Sequence, residues 1–186
     1  PNNCILINNL AKTFICIHDL EEAEKHSRKA IALDKNNEEF KKTLALILLK
    51  KYDFKNAWLS FDGRLGLSEF TKKNPTLKLV HKKIPRKNIL NKNSKILVLR
   101  EQGIGDEILY GTMYNDLLKE FTNLTIECDE RLLPLFQNSF GFHKDKFVKL
   151  GTYSLDKNKI NLFDYIIYAG SLGKYFRNEL NSFSQK

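Results

Sequence analysis

Several residue types are scarce in this 186-residue sequence: three cysteines, four histidines, four prolines, one methionine and one tryptophan. Cys4, Cys16 and Cys128 form no even framework and no C-x-x-C pair. A disulfide scaffold is therefore excluded, and a reducing, cytoplasmic setting is the expectation. On a single helix Cys4 and Cys16 would stand about 18 Å apart at about 1.5 Å rise per residue, beyond disulfide reach. His18, His26, His81 and His143 show no H-E-x-x-H pattern and no short spacing to cysteine that would suit zinc, so surface or capping roles are expected for them; no metal and no resident cofactor is expected. Nothing approaches the roughly 18 apolar residues that a transmembrane helix needs; the most apolar stretch is Leu44 to Leu49. The opening residues lack a basic start, an apolar core and a small-residue cleavage site. The chain begins with Pro1 rather than Met, and both ends read as cuts through a longer protein.

Arginine is also scarce, since 25 of the 31 basic residues are lysine. The net charge of +9 is concentrated in residues 67 to 100, which hold 10 basic residues and one acidic. Such a stripe attracts phosphate, but planar, bidentate recognition favours arginine. Nucleic acid is therefore not an expected partner. The remaining composition, 42% apolar and 28% charged, is that of a globular protein with one or two domains.

A shift of 34 residues superimposes Leu10 on Leu44, Ala11 on Ala45, Phe14 on Leu48, Leu20 on Phe54 and Ala23 on Ala57. Small residues opposing larger ones let two helices approach closely. The pattern predicts helices at about residues 4–17, 20–34, 38–51 and 54–65, with His18-Asp19 and Lys35-Asn36-Asn37 in the turns. Residues 4 to 66 resemble the tetratricopeptide repeat, with Leu33-Asp34-Lys35 where the family usually has Leu-Asp-Pro. Departures are Lys35 for proline, Ser27 where an aromatic is common, and Arg64 where alanine is usual. One repeat cannot bury its own face, so further repeats upstream are expected. The resemblance implies a groove for a protein or peptide partner; a plain spacer is the other reading. Trp58, Phe61 and Arg64 share one stripe of the last helix, suited either to the core or to anchoring the next part of the chain.

Residues 67–94 turn to Lys, Asn and Thr with Pro75 and Pro85 and read as a basic linker. From Lys95 the pattern changes. Ile96-Leu97-Val98-Leu99 is a buried strand running into Glu101-Gln102-Gly103-Ile104-Gly105-Asp106. Beyond it the pattern predicts a helix over 106–121, a strand over 124–128, a helix over 130–139, strands over 147–150 and 163–168, and a helix over 172–183. Alternating strands and helices predict an α/β fold with a doubly wound parallel sheet over 95–186. Ligands of such sheets bind where loops leave the carboxyl ends of strands: Glu101 to Asp106, Asp129 to Arg131 and Ala169 to Gly173.

The glycine loop lacks the G-K-[ST] of a P-loop. As a dinucleotide fingerprint it has Ile108 in place of the third glycine, and Asp106 repels a pyrophosphate, although Glu127 or Asp129 falls near a ribose-binding position. The loop resembles the E-Q-G-[LI]-G-D segment of bacterial proteins that fuse tetratricopeptide repeats to a GT-B glycosyltransferase domain related to the heptosyltransferases. Leu132-Leu133-Pro134-Leu135, Gly170-Ser171-Leu172 and Tyr175-Phe176-Arg177 resemble further segments of that family, with Gly173 in place of a proline.

The resemblance implies a Rossmann-like, acceptor-side lobe that takes a sugar or glycosylated acceptor, with transfer from a nucleotide sugar held by a second lobe and no required metal. It makes Asp106 the catalytic carboxylate on the acceptor hydroxyl, with Gln102, Gly103, Gly105 and Ser171 beside the substrate. A carboxylate in a first helical turn is favoured as the anion, which suits orienting a hydroxyl as well as deprotonating it. Two alternatives stay open: Asp106 and Ser171 as helix caps, and the whole chain as a non-catalytic interaction scaffold.

Overall fold

A computed structural model describes residues 3–67, 72 and 91–183. The expected linker 67–94 lies largely outside the described residues. The chain divides into two units, one drawn from Pro1–Lys72 and Arg177–Lys186, the other from Lys73–Phe176.

The helical unit contains α1 (Cys4–Cys16), α2 (Leu20–Leu33), α3 (Glu38–Lys50) and α4 (Phe54–Phe61), the last running into a 3₁₀ turn over Asp62–Gly66. Its 34-residue period is geometric as well as textual. His18 and Tyr52 both take φ 61°. Asp19 and Asp53, the next residues, cap α2 and α4 by accepting from the Glu22 and Asn56 amides at 3.1 and 3.4 Å. The amides of the same two aspartates return to the carbonyls of Phe14 and Leu48 at 3.0 and 2.9 Å, so one left-handed residue closes each inter-helix turn in the same way. Ala11, Ala23, Ala45 and Ala57 are fully buried, as small residues at helix contacts should be.

The large residues of the period are not equivalent. Leu44 is buried against a cluster that includes Ile31, whereas its counterpart Leu10 is 42% exposed. Leu10 is therefore only partly covered among the described residues. Arg64 is 2% exposed, paired with Asp62 at 3.1 Å and stacked over Phe61 at 4.4 Å. That pairing accounts for an arginine at a small-residue position.

The second unit holds one four-stranded, all-parallel sheet of β1 (Ile96–Leu99), β2 (Leu124–Cys128), β3 (Phe147–Lys149) and β4 (Tyr165–Tyr168), in the order β3-β2-β1-β4. An α/β fold with a parallel sheet is thus observed. All four residues of β1 are buried, as the sheet's central strand requires. Ile96, Val98, Leu124, Ile126, Cys128 and Ile167 pack with residues from α5 (Ile104–Gly111), α6 (Tyr114–Glu120) and α7 (Leu133–Ser139). A short helix, α8 (Lys157–Ile160), precedes β4.

The single helix expected over 106–121 is two. A Cβ at Gly111 would lie 2.9 Å from the Phe136 ring, so this turn of α5 sits directly on α7. Thr112 Oγ1 donates to the Leu109 carbonyl at 2.7 Å, and a local bond of this kind competes with helix continuation. The helix expected over 172–183 is also broken, into a 3₁₀ turn over Ala169–Leu172, the short α9 (Gly173–Phe176) and a 3₁₀ turn over Leu180–Phe183. Trp58 Nε1 donates to the Arg177 carbonyl at 2.6 Å, and Phe183 lies against Phe54 with ring centroids 4.5 Å apart. The residues after Phe176 thereby join the helical unit, and Trp58 anchors them.

Two outcomes test this packing. Ala23→Leu adds bulk where no space exists and should cost about 1–3 kcal/mol of stability, seen as a lower melting temperature by circular dichroism. Deleting residues 177–186 should red-shift the emission of Trp58, the sole tryptophan; an unshifted spectrum would mean that the segment does not cover it.

Candidate functional site

β1 lies between β2 and β4, so the sheet order reverses at the β1–β4 pair. In parallel sheets the crevice outside the carboxyl ends at such a point is where ligands bind. The loop after β1 and the 3₁₀ turn after β4 meet here. Glu101, 2% exposed, accepts the Gly170 amide and ties one loop to the other.

Gln102 comes next with φ 61°, a left-handed backbone that costs a side-chain-bearing residue roughly 1–2 kcal/mol. The sequence suggests that Gly103 and Gly105 shape this bend; the structure puts the left-handed residue at Gln102 instead. Gly103 is extended at φ −92°, ψ 175° and is the N-cap of α5. A Cβ there would make one ordinary contact, with Asp106 at 3.6 Å, and a Cβ at Gly105 would meet nothing within 4 Å. Neither glycine is required by packing within the described chain.

α5 begins at Ile104, two residues before the expected start, so Asp106 sits inside its first turn. Asp106 Oδ2 accepts the Gly103 amide at 3.2 Å. This is one half of a capping box, because glycine has no side chain to return the bond. The carboxyl group is half-buried, and among the described residues Oδ1 accepts no hydrogen bond. Gln102, Gly103, Gly105 and Asp106 are thus gathered on one bend. Ser171 is buried inside the 3₁₀ turn and is not at its opening.

Of the charged groups behind the bend, Arg100 and Glu107 have no role in the sequence reading, and Asp129 appears there only as a ribose-binding candidate and a loop end. Arg100 Nη1 donates to Asp129 Oδ2 at 2.9 Å, and Nη2 donates to the Gln102 carbonyl at 2.9 Å. Its Nε lies 2.8 Å from Glu107 Oε2, an ion pair outside hydrogen-bond alignment. Glu107, fully buried, accepts the Asp129 amide through Oε1 at 2.8 Å. Burial raises the Glu107 carboxyl above the usual carboxylate range, outweighing the Asp129 amide and Arg100, which both lower it. Asp129 is held well below its usual range by the Arg131 side chain, with the Arg131 amide next in weight.

Glu127 is also fully buried and accepts four donors: the amides of Gly151, Tyr153 and Ser154 at 3.0, 2.6 and 2.9 Å, and the Ser154 hydroxyl at 2.6 Å. Gly151 has φ +87°, a left-handed backbone that glycine adopts most easily, and it opens this loop. Glu127 and Asp129 are both engaged within the protein. Neither is left to bind a ribose, which removes the remaining support for a dinucleotide site. A charged residue inside or just after an otherwise apolar strand marks Arg100, Glu127 and Asp129 singly, but Glu107 lies on α5 and nothing in the sequence joins the four.

Among the described residues no cluster of His, Cys, Asp or Glu could hold a metal ion, and no helix is long and apolar enough to cross a membrane. No family model matches the chain, and no curated protein or solved structure matches it at a significant level.

Replacing Glu127 with Gln should cost about 2 kcal/mol, since one carboxylate oxygen becomes a donor facing donors; chemical denaturation would measure it. Asp129 and Glu107 have opposite linkage. The lowered Asp129 contributes stability above its unfolded value near 4, and that stability is lost as pH falls below it. The raised Glu107 contributes stability below its unfolded value, and that stability is lost as pH rises through its folded one. Urea midpoints across pH 3 to 7 should therefore fall less steeply in acid for Asp129→Asn, and more steeply for Glu107→Gln, than for the parent chain.

Proposed function

We propose that this chain is the repeat-bearing, acceptor-side portion of a glycosyltransferase of the two-lobed GT-B type. Residues 4–66 act as tetratricopeptide repeats that present a protein or glycosylated acceptor, and residues 95–176 form a Rossmann-like lobe. The observation that carries the reading is the position of Glu101-Gln102-Gly103-Ile104-Gly105-Asp106 on the carboxyl side of the central strand, where the sheet order reverses. Two features support it. Gly105 leaves open space that packing does not demand, as a loop approached closely by a ligand would need. Asp106 has one oxygen committed to the Gly103 amide and the other available to a hydroxyl. The 34-residue recurrence of turn and cap geometry supports the repeat assignment.

In this reading Asp106 orients the acceptor hydroxyl and takes its proton as the oxygen attacks the anomeric carbon of the donor, whose bond to the phosphate oxygen breaks and releases the nucleotide as the leaving group. The Gly103 amide holds the carboxylate, and Gln102 and Gly105 line the approach. Ser171 supports the neighbouring turn from inside. GT-B families place most nucleotide-sugar contacts in a second lobe, so residues 1–186 alone should show no turnover of a nucleotide sugar.

The second reading, a non-catalytic scaffold, is favoured by one observation: the Asp106–Gly103 bond suffices as a cap. Asp106→Asn separates the two. In the protein encoded by the complete reading frame, assayed against a panel of nucleotide sugars, the transferase reading expects at least about a hundredfold loss of turnover with an unchanged melting temperature. Equal turnover of parent and variant would reduce Asp106 to a cap.

A further inference from the structure

Arg100 is the residue directly after β1, and its side chain is 16% exposed. Its three guanidinium nitrogens reach three different parts of the chain: Glu107 on α5, Asp129 after β2, and the Gln102 carbonyl in its own loop. Glu107 and Asp129 are joined to each other by the Asp129 amide, and Asp129 is held in turn by Arg131 through Nε at 2.8 Å and Nη2 at 3.0 Å. The guanidinium therefore sits in a frame fixed from two sides. Its third donor is spent on a carbonyl that belongs to a left-handed residue.

Burying a charged network rarely gains stability over an apolar core of the same shape, whereas a planar, three-way fork fixes direction. Among the described residues, the only exposed element that this fork touches is the Gln102 bend, which leads through Gly103 to Asp106. Asp106 is moreover the immediate neighbour of Glu107 on α5, so both ends of the bend are referred to one frame.

We propose that Arg100 is the positioning residue of the candidate site: clamped by Glu107 and Asp129, it holds the Gln102 carbonyl and so fixes the left-handed bend that aims the Gly103 amide and the Asp106 carboxylate. It touches no substrate. The proposal deepens the acceptor-site reading and rests on it for its functional meaning.

The test uses the 186-residue chain with Arg100→Gln, Arg100→Lys and Asp129→Asn. The HN–Hα coupling of Gln102, read together with its intraresidue HN–Hα NOE, which is strong at positive φ, reports its φ angle, and amide exchange of Gly103 reports the bond to Asp106. With Arg100→Gln, Gln102 should leave the left-handed region and Gly103 should exchange at least about fivefold faster. Trp58 emission, which senses the helical unit, should stay unchanged. Lysine keeps the charge but not the fork, so Arg100→Lys should restore the fold fully and the Gln102 coupling only in part. Asp129→Asn, which retains one acceptor oxygen, should give an intermediate exchange rate.

A folded Arg100→Gln chain with wild-type coupling and exchange would overturn the proposal. If that variant does not fold, wild-type values in both Arg100→Lys and Asp129→Asn would overturn it equally. These measurements involve no sugar transfer, so they are independent of the Asp106→Asn assay. Silent Asp106→Asn with a displaced bend removes the transferase reading alone; lost turnover with an unmoved bend removes only the role of Arg100.

Discussion

Three glutamates with almost no solvent exposure hold the carboxyl edge of the sheet together. Glu101 reaches from the loop after β1 to the turn after β4, Glu107 from α5 to the loop after β2, and Glu127 from β2 to the loop after β3. A carboxylate taken out of water must find donors or become neutral, and each of these finds backbone amides in a neighbouring loop. The four strand ends are stapled in sequence. The loops that line a parallel sheet's crevice are ordinarily its most mobile parts; here their amides are already committed to acids rooted below them.

That commitment explains why the Gln102 bend can carry strain. A left-handed glutamine persists only where its surroundings over-determine it; here Arg100 holds its carbonyl, and Glu101, the residue before it, is tied to the Gly170 amide. Asp106 lies at the exposed end of the same arrangement, half cap and half open. A carboxylate partly held by a backbone amide has a defined direction without being used up, which is a requirement common to orienting a hydroxyl and to ending a helix.

The helices and strands are largely legible in the amino-acid order because their signals are local. Alternating small and large residues at a fixed period mark four helices within a residue or so at most ends, and the continuous apolar run at Ile96–Leu99 marks the central strand. The misses are tertiary. The break at Gly111–Thr112 depends on Phe136, distant in sequence, and the loss of helix after Phe176 depends on Trp58. At the site, Gly103 and Gly105 draw attention by their type, yet the unusual backbone belongs to Gln102, whose identity gives no hint of it. Arg100, Glu107 and Glu127 are invisible as a set, since nothing in a linear sequence says which acids and which arginine come to share one edge of a sheet. Ser171 lies in a buried 3₁₀ turn that replaces the start of the expected helix.

The order of strands has a consequence for synthesis. β1 is the first sheet strand to leave the ribosome, but it occupies the middle of the sheet, and one of its edges stays open until β4 has emerged about 70 residues later. For that interval the nascent chain carries Ile96-Leu97-Val98-Leu99, a short unbroken apolar segment, with nothing of its own to pair on one side. Non-local parallel pairing of this kind is slow and prone to sticking to other chains. Helices α1 to α4, built from near neighbours, emerge earlier, but their unit too waits for residues after Phe176 before Trp58 and Phe54 are covered.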